Sequence, residues 1–356
     1  MVIKMKERRR KRRMRLLRLF FGVLGSVLGV GALAMVLLHF AMPEEEKVVY
    51  EIFHLPSSPL EIFAASAEPE KEQSQDEMLL QEALEQNQEV YLAECESQDT
   101  VTLLFAGDIL MDDHYAVMST YHNRGNDINQ AFDQGLLEQM RNADIFMINN
   151  EFTFTSRGTP TVNKQFTFRA DPGNVSMYEE MGVDIVSLAN NHTLDYGRDA
   201  LSDTFTTLDE AGILYAGAGE TKERAYELQI IEKNGKKFGF LAASRVVPES
   251  NWKVEERTPG MLTAYDDTKL VQLIKEARSG CDFLSVYIHW GVEYDAYPQD
   301  YQTKIATDCF NAGADLILGA HTHCLQGISY ISGKPVFYSL GNFVFGQNID
   351  KTAAVK

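Results

Sequence analysis

The rhythm of apolar and polar positions changes twice along this chain. From Leu19 to Met42 the run holds no Asp, Glu, Lys or Arg and is apolar except for Ser26 and His39. A run of that length can cross a hydrocarbon core about 30 Å thick, which takes roughly 20 helical residues. Residues 43–98 are rich in Glu, Gln and Ser and poor in aromatics, which predicts an acidic stalk unable to bury a core of its own. Within the stalk, Met78, Leu79, Ala83, Leu84, Val90 and Tyr91 recur at near-helical spacing. A solvated amphipathic spacer accounts for them, and a partner-binding helix is the sharper reading.

From Thr100 onward, short apolar runs alternate with amphipathic stretches. Strands are predicted at 101–106, 145–148, 184–188, 238–243, 283–288 and 316–318, and helices at about 128–142, 174–181, 199–211, 266–279 and 299–311. Asp199 and Asp266 are expected N-caps, and Gly212, Gly280 and Gly313 fall at expected helix ends. Two late strands, around 325–331 and 335–340, read as a hairpin through Ser332-Gly333-Lys334. Continuous Val, Ile, Leu and Phe in the strands predict an α/β domain whose sheets are covered on both faces. One domain of about 255 residues fits that length.

Charge assigns the ends to different sides of a membrane. Ten basic side chains and the single acid Glu7 crowd the first 18 residues, ahead of the apolar run. The positive-inside rule keeps this segment cytoplasmic and sends the rest outside. A cleaved signal peptide is the rival reading, but its apolar region would span about 7–15 residues, and the nearest small-x-small site, Ala65-Ser66-Ala67, comes too late. The whole chain carries −18. With +9 in the basic segment, about −27 remains beyond it, which argues against a nucleic-acid partner. Cys95, Cys281, Cys309 and Cys324 show no paired spacing and are expected to be free thiols.

The candidate chemistry lies where the predicted strands end. Gly107-Asp108, Asn149-Asn150-Glu151, Asn190-Asn191-His192, His289-Trp290-Gly291 and Gly319-Ala320-His321-Thr322-His323 each follow an apolar run. Any one alone reads as a turn or a satisfied polar group. Five together, at the carboxyl ends of strands where α/β sheets gather ligands, point to a cage for divalent metal.

These segments, with Asp195 and Gly197, Glu293, Gln326 and Tyr338-Ser339-Leu340-Gly341-Asn342-Phe343, resemble the poly-γ-glutamate capsule synthesis protein (CapA) family over roughly residues 100–350. The resemblance implies kinship with calcineurin-like metallophosphoesterases and a four-layer α/β/β/α sandwich carrying two metals, with Mn, Zn or Fe suited to the donors. It implies that Asp108 binds the first metal and Glu151 bridges both. Asn191, His289 and His321 serve the second metal and His323 the first. His192 is the non-ligand histidine near the leaving group, oriented by Asp195. It also implies further strands beyond the end of this chain. Two departures stand out: Leu110 lies where phosphoesterases carry a histidine, and the bridging position holds Glu rather than Asp.

Three readings follow. The first is a single-pass membrane protein with its C-terminal domain outside the cell, acting in capsule or envelope polymer assembly beside a membrane synthase and handling an anionic polymer. The second is a metal-dependent hydrolase of envelope esters or amides. The third is a scaffold with a degenerate centre, favoured by Leu110. Smaller candidates are Trp290 and Tyr294, as stacking or packing aromatics, Lys164 and Arg169, as anion ligands or the solvated face of a strand, and Arg245, as an anion ligand. Cys324 is expected to point into the core, and Asn342 either bonds within the site or caps a turn.

Overall fold

The computed structural model describes residues 100–346. The expected anchor at 19–42, the stalk, Cys95 and the tail after Gly346 lie outside the described residues. No helix among the described residues is long and apolar enough to cross a membrane.

The strands, in chain order, are β1 (Leu103–Ile109), β2 (Ile145–Asn150), β3 (Thr153–Phe154), β4 (Arg169–Ala170), β5 (Ile185–Ser187), β6 (Leu214–Ala216), β7 (Ala218–Gly219), β8 (Gln229–Lys233), β9 (Lys236–Ser244), β10 (Gly260–Met261), β11 (Phe283–His289), β12 (Leu316–Ala320), β13 (Ile328–Ile331), β14 (Lys334–Phe337) and β15 (Asn342–Val344). They build two main sheets. The first runs β15-β1-β2-β5-β6 and is parallel throughout. The second runs β13-β14-β12-β11-β9-β8, with a parallel centre and an antiparallel pair at each edge. The mixed α/β class with parallel sheets is as the apolar runs predict.

One core cluster holds side chains of both sheets, with Phe146, Ile148, Val186 and Ile109 from the first and Tyr287, Leu318 and Ala320 from the second. Tyr287 reaches across to donate to Ala106 O at 2.9 Å. Alternate residues of β11 (Leu284, Val286, Ile288) instead join a second cluster with Leu270 and Ile274 of helix Thr268–Ala277 and Ile305 and Phe310 of helix Asp300–Ala312. That split is the period-2 alternation of a strand covered on both faces.

Local differences from the sequence reading have local causes. The stretch 128–142 is two helices, Ile128–Ala131 and Gln134–Asn142, because the Asp133 side chain accepts from Gly135 N and Leu136 N and starts the second one afresh. Asp199 is not an N-cap; Gly197 holds that position and Asp199 lies in the first turn of helix Arg198–Glu210. The Asp266 carboxylate does accept from Thr268 N at 3.0 Å, although Asp267 is the capping residue. The late hairpin turns on Ser332-Gly333 alone, both left-handed, with Lys334 already in β14. Cys281, Cys309 and Cys324 are free and buried.

Candidate metal centre

Strand register brings the candidate side chains to one end of both sheets. β1 lies between β15 and β2, with Asp108 opposite Asn342 on one side and Asn149 on the other. Glu151 is the first residue beyond β2, and the exit from β5 leads into Asn190, Asn191 and His192. In the second sheet His289 ends β11, opposite Ser244 of β9 and Ala320 of β12. His321 and His323 follow β12 directly. Gly107 permits this close approach, since a Cβ there would lie 1.8 Å from Gly341 O, whose carbonyl accepts from Asp108 N at 2.9 Å.

The loop after β12 is bent against backbone preference. His321 has φ 99° and His323 φ 55°, left-handed values that side chains other than glycine seldom adopt. Such a conformation costs on the order of 1–3 kcal/mol and persists where surroundings over-determine it. Here Thr322 O accepts from Tyr294 N at 2.8 Å. Thr322 Oγ1 donates to Cys324 O at 2.7 Å and lies 2.8 Å from Ser339 Oγ.

Ligand-type atoms of Asp108, Glu151 and His323 lie within 4.8 Å of one another, as do those of Glu151, His289 and His321. Glu151 belongs to both groups, and all five residues are buried. Asn191 joins the second group, its Oδ1 being 2.6 Å from His289 Nε2. Asn149 spans the two groups: Nδ2 donates to Asp108 Oδ1 at 2.7 Å and approaches His289 Nδ1 at 3.4 Å. Asn190 Nδ2 in turn donates to Asn149 Oδ1 at 3.2 Å and to Asn150 O at 2.8 Å. The paired asparagines closing two neighbouring strands were the sequence signal for this network, which the strand-end reading left without a role.

The electrostatics suit a bound cation. Neither oxygen of Glu151 has a hydrogen-bond partner, and His321 Nδ1 is likewise buried and unpartnered; the closest ring nitrogen to Glu151, His289 Nε2, stands 3.4 Å off. An ionised carboxylate buried without donors is costly. Burial raises the Glu151 pKa, and burial together with the Glu151 charge pushes Asp108 up to about 6. Burial pushes His289 down to about 4. It also holds His321 well below the usual imidazole value, helped by His289 and His323. For His323 burial pulls down, but the charges of Glu151 and Asp108 and the Asn342 bond outweigh it, so its pKa is raised. Imidazole nitrogen and carboxylate oxygen together, with two unpartnered groups at their centre, are a donor set that could hold a divalent metal ion.

His192 stands beside these groups, with Nε2 3.9 Å from Glu151 Oε1. Its Nδ1 is 2.6 Å from Asp195 Oδ2, and Phe168 stacks on its ring with centroids 4.1 Å apart. Burial lowers the His192 pKa, opposed by the Asp195 charge. Lys164 is neither a solvated strand residue nor a free anion ligand. Its side chain is 15% exposed and ion-paired with Asp195, and Nζ donates to Asn191 O at 2.5 Å. Arg169 lies over the Tyr196 ring at 4.7 Å, and Arg245 over Tyr265 at 3.7 Å and Tyr301 at 4.8 Å. Trp290 is a packing residue, fully buried with Nε1 donating to Tyr338 O at 2.7 Å. Tyr294 is half exposed, its ring centroid 6.0 Å from that of His323. Cys324 is buried with Sγ 3.4 Å from Asp295 O, and Leu110 is fully buried in the larger core cluster.

Comparison with known proteins adds a family. The sequence profile of the bacterial capsule synthesis protein PGA_cap matches residues 102–347. The PGA biosynthesis protein CapA of Bacillus subtilis (strain 168) is 31% identical over 258 residues, covering 72% of this chain and 66% of that protein. The capsule biosynthesis protein CapA of Bacillus anthracis is 30% identical over 260 residues, covering 71% of this chain and 62% of that protein. The chain thus spans just under two thirds of the length of these relatives.

Proposed function

The chain belongs to the bacterial capsule synthesis protein (PGA_cap) family, and from that premise we propose that it is a membrane-anchored factor of envelope polymer assembly, built as a four-layer α/β/β/α sandwich around a two-metal centre. The polymer is poly-γ-glutamate or a related polyanion. The segment 19–42 anchors the chain, residues 100–346 work outside the cell, and a membrane synthase is the neighbour.

The observation that carries the metal reading is Glu151, a buried carboxylate shared by two ligand groups and without a hydrogen bond of its own. Two cations about 3.5–4 Å apart need such a shared carboxylate to offset their repulsion. In this reading Asp108, Glu151 and His323 hold one ion, and Glu151, Asn191, His289 and His321 the other. When bound, the pair supplies a strong positive field and polarises an anionic substrate group. The chain's own residues do the rest. Asn149 fixes the Asp108 carboxylate, Asp195 holds the His192 ring by Nδ1, and Phe168 covers its face.

The test is metal content and polymer yield together. Purified full-length protein is expected to carry two divalent ions per chain by mass spectrometry, and His321→Ala is expected to lose one and to change polymer amount, length or attachment in cells. Unchanged polymer with a disrupted centre would remove the metal site from the function.

One arrangement favours a second reading, hydrolysis. His192 Nε2 turns toward the shared carboxylate while Nδ1 is held by Asp195, the orientation of a group that exchanges a proton with a departing oxygen. Turnover of a model ester by metal-loaded protein, lost in His192→Ala, would support it. No turnover across a broad ester panel with both ions bound would leave a carrier or scaffold role.

A further inference from the structure

Asn342 is a polar side chain near the centre whose two ends have different fates. It opens β15, opposite Asp108 on β1, and is 3% exposed. Its Oδ1 lies 2.8 Å from His323 Nδ1. Its Nδ2, equally buried, has no hydrogen-bond partner.

The proton count makes this informative. An amide oxygen only accepts, so Nδ1 of His323 donates to it; the same Nδ1 stands 3.6 Å from Asp108 Oδ2, and in the neutral ring the lone pair is then on Nε2. A histidine that ligates a metal needs such a fixed tautomer, and the partner of its other nitrogen supplies it. With Oδ1 committed to His323, Nδ2 is left as a donor. A donor cannot ligate a cation, and a buried donor without an acceptor costs free energy. Asp108, its register partner on β1, leaves it unmatched and accepts instead from Asn149 and from His321 N. The group that would satisfy Nδ2 is an oxygen brought by a ligand.

We propose that Asn342 is a two-ended residue of the centre, positioning His323 through its carbonyl and donating through its amide to an anionic oxygen of the bound substrate. This rests on the metal reading above and names the side chain that reads the substrate group beside the first ion. Asn342 stands on the strand beside Asp108, one of the residues that would hold the first ion. The anionic oxygen belongs either to a phosphoryl or to a carboxyl group, and the two are separated by the probe.

The experiment uses full-length protein in detergent, titrated calorimetrically first with Mn2+ and then, with metal saturating, with inorganic phosphate and with γ-glutamylglutamate. Asn342→Asp keeps an acceptor for His323 and removes the donor. Asn342→Leu removes both ends at similar size and without adding charge. Mn2+ affinity is expected to be held or strengthened in Asn342→Asp and to fall about 10- to 100-fold in Asn342→Leu, the range for loss of such an orienting partner. Affinity for the anion that binds the wild type is expected to fall at least about tenfold in both variants, the scale of one hydrogen bond to a charged group. Wild-type Mn2+ affinity in Asn342→Leu would overturn the positioning role. Wild-type anion affinity in metal-saturated Asn342→Leu would overturn the donor role. Failure of the wild-type protein to bind Mn2+ at all would instead overturn the metal reading, and is read in the first titration.

Discussion

At the scale of single residues, the centre stores unfavourable charge that a cation would relieve. Asp108 has its pKa pushed up to about 6 from 3.8. Without metal, the folded state therefore keeps a proton that the unfolded state has lost between those two values. Stability contributed by that proton is full below pH 3.8 and is lost as pH rises through about 6, on the order of 3 kcal/mol at neutrality. Asp108→Asn is expected to recover about 1–3 kcal/mol of metal-free stability at pH 7.5, almost none at pH 3.5, and to weaken metal binding. Urea unfolding with chelator at both pH values measures it. The two ligand groups should also part company on acidification. His289 and His321 are held neutral by burial, whereas His323 has a raised pKa and Asp108 protonates near 6. Protons thus compete harder for the Asp108–Glu151–His323 position. Dialysis at about pH 7.5 and about pH 5.5 followed by metal analysis is expected to find the second condition retaining the ion at His289 and His321 and losing the other.

At the scale of elements, the centre depends on how closely β15 lies against β1. Gly107→Ala would put a methyl 1.8 Å from Gly341 O, and backbone cannot give way as a flexible side chain does. A loss of about 3 kcal/mol or more is expected in urea unfolding, with weaker metal binding because Asp108 and Asn342 are the paired residues next door. What could be read from the sequence follows from the same elements. Parallel strands with covered faces are written as unbroken apolar runs, and their carboxyl ends share an edge of the sheet, so Asp108, Glu151, His289 and His321 could be grouped without coordinates. The helix Ala116–Asn123 escaped because it buries only Met118 and Tyr121 and has no side-chain cap. The β8–β9 hairpin carried a plain signal in Asn234-Gly235, both left-handed, that went unread. The role of Lys164 was illegible for another reason. It comes from a loop 31 residues before its partner Asp195, and no periodicity ties a loop to a turn that far along the chain.

At the scale of the whole molecule, net charge and a bound metal would act in opposite directions on a polyanion. Residues 43–356 carry about −27 once the basic first segment, +9 of the total −18, is set aside. Long-range repulsion of polyglutamate extends about 30 Å at 0.01 M salt and about 8 Å at 0.15 M. Binding of polyglutamate to a chain starting at residue 43 is expected to strengthen as salt rises through that range and to weaken on chelation, followed by fluorescence anisotropy. Binding that weakens steadily with salt would point to a basic patch instead.

The donors come from opposite halves of the core: Asp108, Glu151 and Asn191 leave the first sheet, while His289, His321 and His323 leave the second. An ion gripped from both sides would be a rivet between two plates that otherwise adhere mostly by apolar contact, with a few hydrogen bonds such as Tyr287 to Ala106 O. Separating the plates would mean shearing the rivet first, so the lifetime of the folded protein would follow the local supply of divalent metal, independently of any chemistry done there.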